Sequence, residues 1–148
     1  MTELHNRRQA RELALQTLYA IEQGGDDEGH VMLERLAEYN SSDPRVKKYA
    51  CSLIDAALAN RAQIDVMIQK HAANWDLKRM NAIDRNLMRM SIAELMAVND
   101  VPFKVILDEA IEIAKVYGTD DSGKFVNGIL DSVYYKEINP EALKSEIA

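Results

Sequence analysis

The segment with the most suggestive chemistry is 118–128, which nearly spells a phosphate-binding loop. Such a loop needs Ser or Thr after its lysine to hold magnesium, and a strand before its first glycine. In this chain Phe125 follows Lys124, and the residues that precede the segment have the spacing of a helix. Asp120 and Asp121 would also repel a phosphate from the backbone N–H groups. The segment therefore does not predict nucleotide hydrolysis.

A second group of residues lies at the amino end, where Arg7, Arg8 and Arg11 accompany a single acid, Glu3. On a helix Arg7 and Arg11 share one face and Arg8 lies about 100° round the axis. We expect the three guanidinium groups to fan over a phosphate backbone at an exposed helix start. Ordinary solvated charge is the alternative interpretation.

Lys124 and Phe125 place a cation and an aromatic ring side by side at the start of another predicted helix. This pairing suits an unpaired nucleotide, because the cation holds its phosphate while the ring stacks on its base. A buried Phe125 is the competing view. Trp75, in a connector, is interpreted as a packing anchor and not as a stacking platform.

Other residues of catalytic type are scattered. His5, His30 and His71 fall on different elements and are interpreted as surface or capping residues, and Cys51 as a small buried hydrophobe. No Cys/His cluster has metal-ligand spacing, so no metal or cofactor is predicted.

Two further sets of side chains are interpreted as structural and not functional. The acids Asp108, Glu109 and Glu112 are read as a solvated helix face that runs into Lys115. Several methionines at helical spacing are read as core filling: Met67, Met80, Met88, Met90 and Met96.

Length and composition suit one globular domain spanning residues 1–148, with flexible ends at 1–6 and 139–148. A hydrophobic content of 47% with only six Gly and three Pro favours helices. A formal charge of −6 argues against binding nucleic acid over the whole surface. A single cysteine and the absence of a long apolar run indicate a cytoplasmic protein without a membrane span.

Hydrophobic periodicity predicts an all-α bundle of about seven helices with no strands. Asp43-Pro44 predicts a capped start, residues 59–61 a bend, and Asp76 the cap of the following helix. Gly118 is predicted to end its helix in a left-handed conformation, with Thr119 or Asp120 capping the next. The predicted helical segments are 7–23, 31–39, 46–73, one that runs through 83–96, 103–117 and 122–135.

Six segments together closely resemble the NusB family of bacterial transcription antitermination factors. The matching segments, in chain order, are 7–19, 83–89, Glu94-Leu95 with 100–102, 108–115 and 118–130. The most specific is Phe125-Val-Asn-Gly128 after Asp-Ser-Gly-Lys, whereas residues 24–75 match only in helical character.

The resemblance implies an all-helical, non-enzymatic protein that binds boxA-type single-stranded RNA with a small-subunit ribosomal protein, NusE. The pair would support processive transcription of ribosomal RNA operons, with other Nus factors and RNA polymerase as indirect partners. The alternative is a helical interaction module whose partner supplies all the RNA binding. A monomer and a homodimer both remain open.

The resemblance also assigns residue roles. RNA would be contacted by Arg7, Arg8, Arg11, Lys124 and Phe125, with Asp121 at the edge of the RNA site, where its charge weakens binding. The face toward the ribosomal protein would include Tyr19 and Asp84. One departure is Gln9, which stands where many relatives carry a third consecutive basic residue and which implies a lower RNA affinity.

Overall fold

The computed structural model of the protein describes residues 3–24, 33–34, 38 and 43–142, with side chains from residue 6 onward. Within these ranges there is no strand, and the predicted all-α fold is confirmed. The α-helices are α1 (Glu3–Gly24), α2 (Pro44–Ala59), α3 (Arg61–His71), α4 (Ala82–Ala97), α5 (Phe103–Tyr117) and α6 (Ser122–Val133). A 3₁₀ turn, Leu77–Arg79, precedes α4, and a π-helical turn, Tyr134–Ile138, follows α6.

The helix predicted over 31–39 lies largely outside the described residues. Its described members, Leu33, Glu34 and Glu38, are helical, and Leu33 is buried. Residues 1–2 and 143–148 of the predicted flexible ends also lie outside the described part of the chain. None of the described helices is long and apolar enough to cross a membrane.

Helix α4 is the centre of the bundle. It packs against α1, α2, α3, α5 and α6, and every residue from Asp84 to Glu94 is buried. Its apolar side chains meet those of the surrounding helices in one core. The predicted methionine filling is confirmed for the buried Met67, Met80, Met88 and Met90, whereas Met96 is only half-buried.

Because α4 is surrounded by other helices, its arginines Arg85 and Arg89 are buried. Both bind acidic side chains of neighbouring helices. Arg89 Nε lies 2.7 Å from Asp65 Oδ1 on α3, and Arg89 Nη1 lies 2.7 Å from Glu22 Oε2 on α1. Arg85 binds the same Glu22 carboxylate, and Asn86 Nδ2 donates to it at 3.1 Å. Arg85 and Arg89 of the family-like segment therefore join helices inside the bundle.

Two predicted helix starts and one break can be compared with the structure. Asp43 caps α2 as predicted, because its Oδ1 accepts from Arg45 N at 2.9 Å with Pro44 in the first turn. The bend predicted at 59–61 is a break between two helices at Asn60.

The predicted cap of the central helix was wrong. Asp76 caps the 3₁₀ turn by accepting from Lys78 N at 3.1 Å. Asn81 caps α4, since its Oδ1 accepts from Ile83 N at 2.8 Å. The polar connector between α3 and α4 contains two capping side chains within six residues, whereas the sequence pattern predicted only one.

Gly118 ends α5, as predicted, but not in the left-handed conformation. Its φ of −97° and ψ of −161° are open to any residue. Glycine is required because a Cβ would lie 2.4 Å from Ser122 Oγ and 2.8 Å from the Ala114 carbonyl oxygen. The turn is then closed by Thr119 and Ser122, since Thr119 N donates to Ser122 Oγ at 2.9 Å.

Candidate nucleic-acid interface

Arg7 lies on the first turns of α1, where it stays partly exposed. Its Nη2 is 3.3 Å from Asp100 Oδ2, and its guanidinium lies 4.8 Å from the ring centre of Tyr49. Asp100 is itself largely exposed, so this ion pair is in contact with solvent and is weak.

Arg8 is the most exposed of the three arginines, with 45% of its side chain accessible. Its Nε donates to Glu109 Oε2 at 2.9 Å, and its Nη2 contacts the same oxygen. The hydrogen bond with Glu109 raises the pKa of Arg8 above its ordinary value, against the lowering effect of partial burial. One edge of the guanidinium is thus held by the protein while the remainder faces solvent.

Arg11 does not have the exposure that was predicted for all three arginines. Only 2% of its side chain is accessible, and two of its nitrogens bind Glu94, Nε at 2.8 Å and Nη2 at 2.6 Å. Glu109 Oε1 lies 3.4 Å from Nη1, and Tyr49 donates its hydroxyl to Glu94 at 2.5 Å. The geometry makes Arg11 a packing element that fixes α1 on α4.

Glu109 was assigned to a solvated face, and this was wrong. It is buried on α5, between the arginines of α1, whereas Asp108 and Glu112 are exposed as predicted. The sequence held a signal for this burial. Glu109 has the helical spacing of the buried apolar residues Ile106, Ala110 and Ile113.

Lys124 and Phe125 lie in the first turn of α6, next to the turn that follows Gly118. Lys124 is exposed and forms no ion pair with any described residue. Phe125 is half-buried, so it is neither the exposed stacking ring nor the fully buried residue that the sequence left open as alternatives. One side of its ring packs on the core, and the ring also meets Trp75 edge-on with centroids 6.2 Å apart.

Trp75 contradicts its predicted role as an anchor. It is 57% exposed, and together with Phe125 it lines a pocket of about 250 Å³. Asp121 lines the same pocket and is exposed, with no hydrogen bond from its side chain to the helix it precedes. Sequence reasoning undervalued Trp75 because exposure depends on the neighbours and not on the connector itself.

Asp84 lines this pocket as well, in the first turn of α4. It is 7% exposed, and its Oδ1 has no hydrogen-bond partner among the described residues. Burial raises the pKa of Asp84, and a hydrogen bond with Ser122 opposes that rise. A carboxylate in the first turn of a helix gains from the helix dipole, but the dipole provides no hydrogen bond for Asp84 Oδ1.

Tyr19 lies on α1, three turns beyond Arg8, and is exposed. Nearby on the same helix, Glu12 and Gln16 bind the hydroxyl of Tyr117 at 2.9 and 3.2 Å. The outer face of α1 therefore offers an aromatic ring to solvent. Its predicted role toward a protein partner stays a prediction.

The structure sorts the predicted residues into separate groups. Arg8 and Arg11 share the carboxylate of Glu109 on α5. Asp84, Asp121 and Phe125 line one pocket with Trp75, and Lys124 precedes Phe125 on α6. Helix α5 links these groups, because its middle holds the arginines and its end leads into the turn beside the pocket.

Of the remaining predicted residues, His5 and His30 lie outside the described side chains, whereas Cys51 and His71 are described. Cys51 is half-buried, and its Sγ lies 3.6 Å from Asp55 Oδ2, so burial and the nearby carboxylate raise the pKa of the thiol. His71 is not a surface residue, since only 9% of its side chain is accessible and its Nε2 lies 2.9 Å from Glu137 Oε1. Among the described residues, no group of His, Cys, Asp or Glu has metal-binding geometry.

These features define a class of protein: a small all-α bundle that presents cations and aromatic rings around one turn. The NusB family model matches residues 8–135, and the chain belongs to the NusB family.

Individual relatives agree with this membership. The chain is 49% identical over 129 residues to a "Transcription antitermination protein NusB" of Chloroherpeton thalassium, covering 87% of this chain but 61% of that relative. It is 42% identical over 130 residues to the protein of the same description in Salinibacter ruber, covering 88% of this chain and 81% of that one.

Solved structures share the fold. A structure of T. maritima NusB superposes with a TM-score of 0.84 at 36% identity, covering 93% of this chain and 96% of that one. A chain of "Antitermination Factors NusB and NusE in complex with dsRNA" superposes with a TM-score of 0.80 at 27% identity, covering 88% and 96%.

Proposed function

We propose that this protein is a transcription antitermination factor that binds boxA-type RNA together with the small-subunit ribosomal protein NusE. It supports processive transcription of ribosomal RNA operons by binding and not by catalysis. Other Nus factors and RNA polymerase are engaged indirectly. Because this activity belongs to a transcribing polymerase, we infer that the protein is cytoplasmic.

The observation that carries the proposal is membership of the NusB family, combined with the cation and the ring in the first turn of α6. Arg8 and Lys124 are available to phosphates, since Arg8 is held on one side only and Lys124 has no ion-pair partner among the described residues. The exposed part of Phe125 is available to a base. A relative solved as a complex of NusB and NusE with dsRNA supports NusE and RNA as partners.

We assign the RNA-facing roles to Arg7, Arg8, Lys124 and Phe125, with Asp121 at the edge, where its charge opposes phosphate. Arg11 acts through Glu94 and Glu109 by holding α1 in place. Tyr19, on the outer face of α1, is assigned to the protein partner. A few cations on an acidic protein bind RNA weakly alone, so a second protein that adds contacts raises the affinity.

Fluorescence anisotropy tests the proposal. A boxA-like single-stranded RNA and a scrambled control are titrated with the protein, with and without the ribosomal protein. We expect preferential binding of the boxA-like RNA that tightens when the partner is present. Absence of RNA binding in both conditions would refute the RNA-binding role.

The competing hypothesis, an interaction module whose partner supplies all RNA contacts, is separated by Arg8→Gln with Lys124→Gln. Unchanged RNA affinity of the mutant complex would favour the module. We expect instead a lower affinity and unchanged binding of the partner protein.

A further inference from the structure

A pocket of about 310 Å³ lies between α1 and α2, beside the network of Arg11. Its described lining residues are Asn6 and Arg7 of α1 and Arg45 and Tyr49 of α2. Two of these four residues are cations, and none is an acid. Four other pockets lined by described residues each include at least one aspartate. In a chain with a formal charge of −6, this pocket therefore favours an anion.

Tyr49 fixes the position of Arg7 at this pocket. The guanidinium of Arg7 lies 4.8 Å from the centre of the Tyr49 ring, and the hydroxyl of that ring donates to Glu94 at 2.5 Å. Glu94 is itself bound by the buried Arg11, so the ring is anchored in the bundle. A cation that already rests on an anchored ring loses less conformational freedom when it binds an anion.

Arg45 is a cation at the end of a helix where the dipole favours negative charge. It lies in the first turn of α2, and 71% of its side chain is accessible. Its Nε and Nη2 pair with Asp43 at 3.3 and 3.0 Å, whereas its Nη1 makes no hydrogen bond with a described residue. The guanidinium of Arg45 can therefore donate to a ligand while Asp43 continues to cap the helix.

The ion pairs of Arg7 and Arg45 lie at the surface. Asp100, the partner of Arg7, is 70% exposed, and Arg45 is the exposed member of its own pair with Asp43. Such pairs are weak, and a guanidinium has several N–H donors that can contact a carboxylate and a phosphate oxygen together. Both arginines thus differ from Arg11, whose guanidinium is buried against two carboxylates.

We propose that this pocket binds a backbone phosphate of the RNA between Arg7 and Arg45, with the amide of Asn6 as a further donor. The inference rests on the proposed RNA-binding function and extends the RNA-binding surface from α1 onto α2. RNA is the expected source of the anion, because Arg7 and its neighbour Arg8 are assigned to RNA and every nucleotide carries a phosphate. Residues 24–75 resemble the family only in helical character, so the resemblance gave Arg45 no role.

Arg45→Gln is the first test, in the full-length protein with the ribosomal protein and a boxA-like single-stranded RNA. The fold should persist, because Asp43 caps α2 through the backbone N–H of residue 45. We expect the RNA affinity to fall a few-fold and the salt dependence to decrease by up to about 0.7 in slope. Fluorescence anisotropy at several salt concentrations measures both, and circular dichroism checks the fold.

Arg61→Gln is the matched control, because it removes the same charge from the first turn of another helix. Arg61 is half-exposed at the start of α3, lies 3.9 Å from Asp65 and is not among the described lining residues of the pocket. We expect its RNA affinity and salt dependence to equal those of the wild type.

A combination with Arg7→Gln tests whether the two arginines share one phosphate. Groups that bind the same partner are coupled, so the loss in the double variant should be smaller than the product of the two separate losses. RNAs with a single neutral methylphosphonate, placed at each position in turn, locate that phosphate. At one position the replacement should weaken binding by the wild type and have no further effect on the double variant.

Several results would overturn the inference. Wild-type affinity of Arg45→Gln, or an equal loss in Arg61→Gln, would remove the pocket from the interface while leaving RNA binding intact. Separate losses that multiply would place the arginines on different phosphates. Weaker binding of the ribosomal protein by Arg45→Gln in the absence of RNA would assign the pocket to the protein partner. Failure of the wild type to bind the RNA would instead refute the proposed function itself.

Discussion

The start of α1 and the pocket between α4 and α6 use similar residues in opposite ways. At the start of α1, the guanidinium of Arg11 is buried against two carboxylates, and Tyr49 completes the network. In the pocket, Asp84 is buried without a partner for one oxygen, and Trp75 and Arg79 face solvent. The buried charges of the first region are paired, although the amide oxygens of Asn6 and Gln9 beside them have no hydrogen-bond partner among the described residues, whereas in the second region the unpartnered oxygen belongs to a carboxyl group.

This contrast shows that residue type does not identify a binding site. Three arginines close together suggest an RNA-binding patch, yet the one in the middle of the network stabilises the bundle. A buried acid or base without a partner is more informative, because a folded chain usually pairs its buried charges. We therefore expect changes in the Arg11 network to alter stability and changes at the second region to alter binding.

The largest effect is expected for Glu94→Gln, which leaves the buried guanidinium of Arg11 without its main carboxylate. Removing one member of a buried ion pair typically costs about 3 to 5 kcal/mol of unfolding free energy. Urea unfolding measures it. Asp100→Asn, which breaks the exposed pair with Arg7, is the control and should change little. A loss as small for Glu94→Gln would mean that the network is not internally satisfied.

Phe125→Ala tests whether the Phe125 ring contributes to stability as well as to RNA binding. A fully buried Phe loses about 3 to 5 kcal/mol on truncation, so this half-buried ring should lose about half of that. We expect the RNA affinity to fall as well, since the ring borders the pocket with Trp75. Thermal unfolding and anisotropy measure the two effects. A change in only one of them would assign Phe125 wholly to the core or wholly to the RNA.

Gly118→Ala tests the turn that leads to the pocket. The added Cβ would lie 2.4 Å from Ser122 Oγ, and overpacking of this kind costs about 1 to 3 kcal/mol. Gly128→Ala is the matched control, because a Cβ there meets nothing within 4 Å and the helix gains up to about 1 kcal/mol. Opposite signs in urea unfolding are expected. Equal signs would contradict the close approach at Gly118.

Arg8→Gln and Lys124→Gln sharpen the comparison from the binding side. Each should lower the RNA affinity a few-fold and reduce the salt dependence of binding by about one phosphate contact, a slope change of about 0.7 for a single strand. Anisotropy at several salt concentrations measures this change. Lys48→Gln, an exposed lysine on α2, is the control. An unaltered slope in the test variants would exclude them from the interface.

The smallest effect concerns pH. Because burial raises the pKa of Asp84 above its ordinary 3.8, the folded state binds the proton more tightly than the unfolded state. Asp84 therefore lowers stability as the pH rises from 3.8 through its folded pKa, and the loss persists at neutral pH. Asp84→Asn should be slightly more stable than the wild type at neutral pH, with the difference fading on acidification. Chemical denaturation across this pH range measures it, and a less stable variant at neutral pH would show that the carboxylate is already satisfied.

Much of the fold follows from local patterns. The helical segments, the capped start at Asp43-Pro44 and the break near Asn60 arise from spacing and capping chemistry within a few residues. The errors at Asp76 and Gly118 concern which of several nearby groups completes a turn. That choice depends on contacts such as the one between Gly118 and Ser122, which periodicity does not contain.

The amino-acid sequence by itself determined the all-α class, the family and the positions of the cations and rings, because these depend on residue types and local spacing. Only the tertiary structure decided which of these side chains are exposed to solvent and which are buried against a partner. Glu94 and Glu109 reach Arg11 across more than eighty residues of chain, and Asp84, Trp75 and Phe125 meet from three separate segments. Burial and pairing are properties of neighbours in space, so they appear only when the helices have packed.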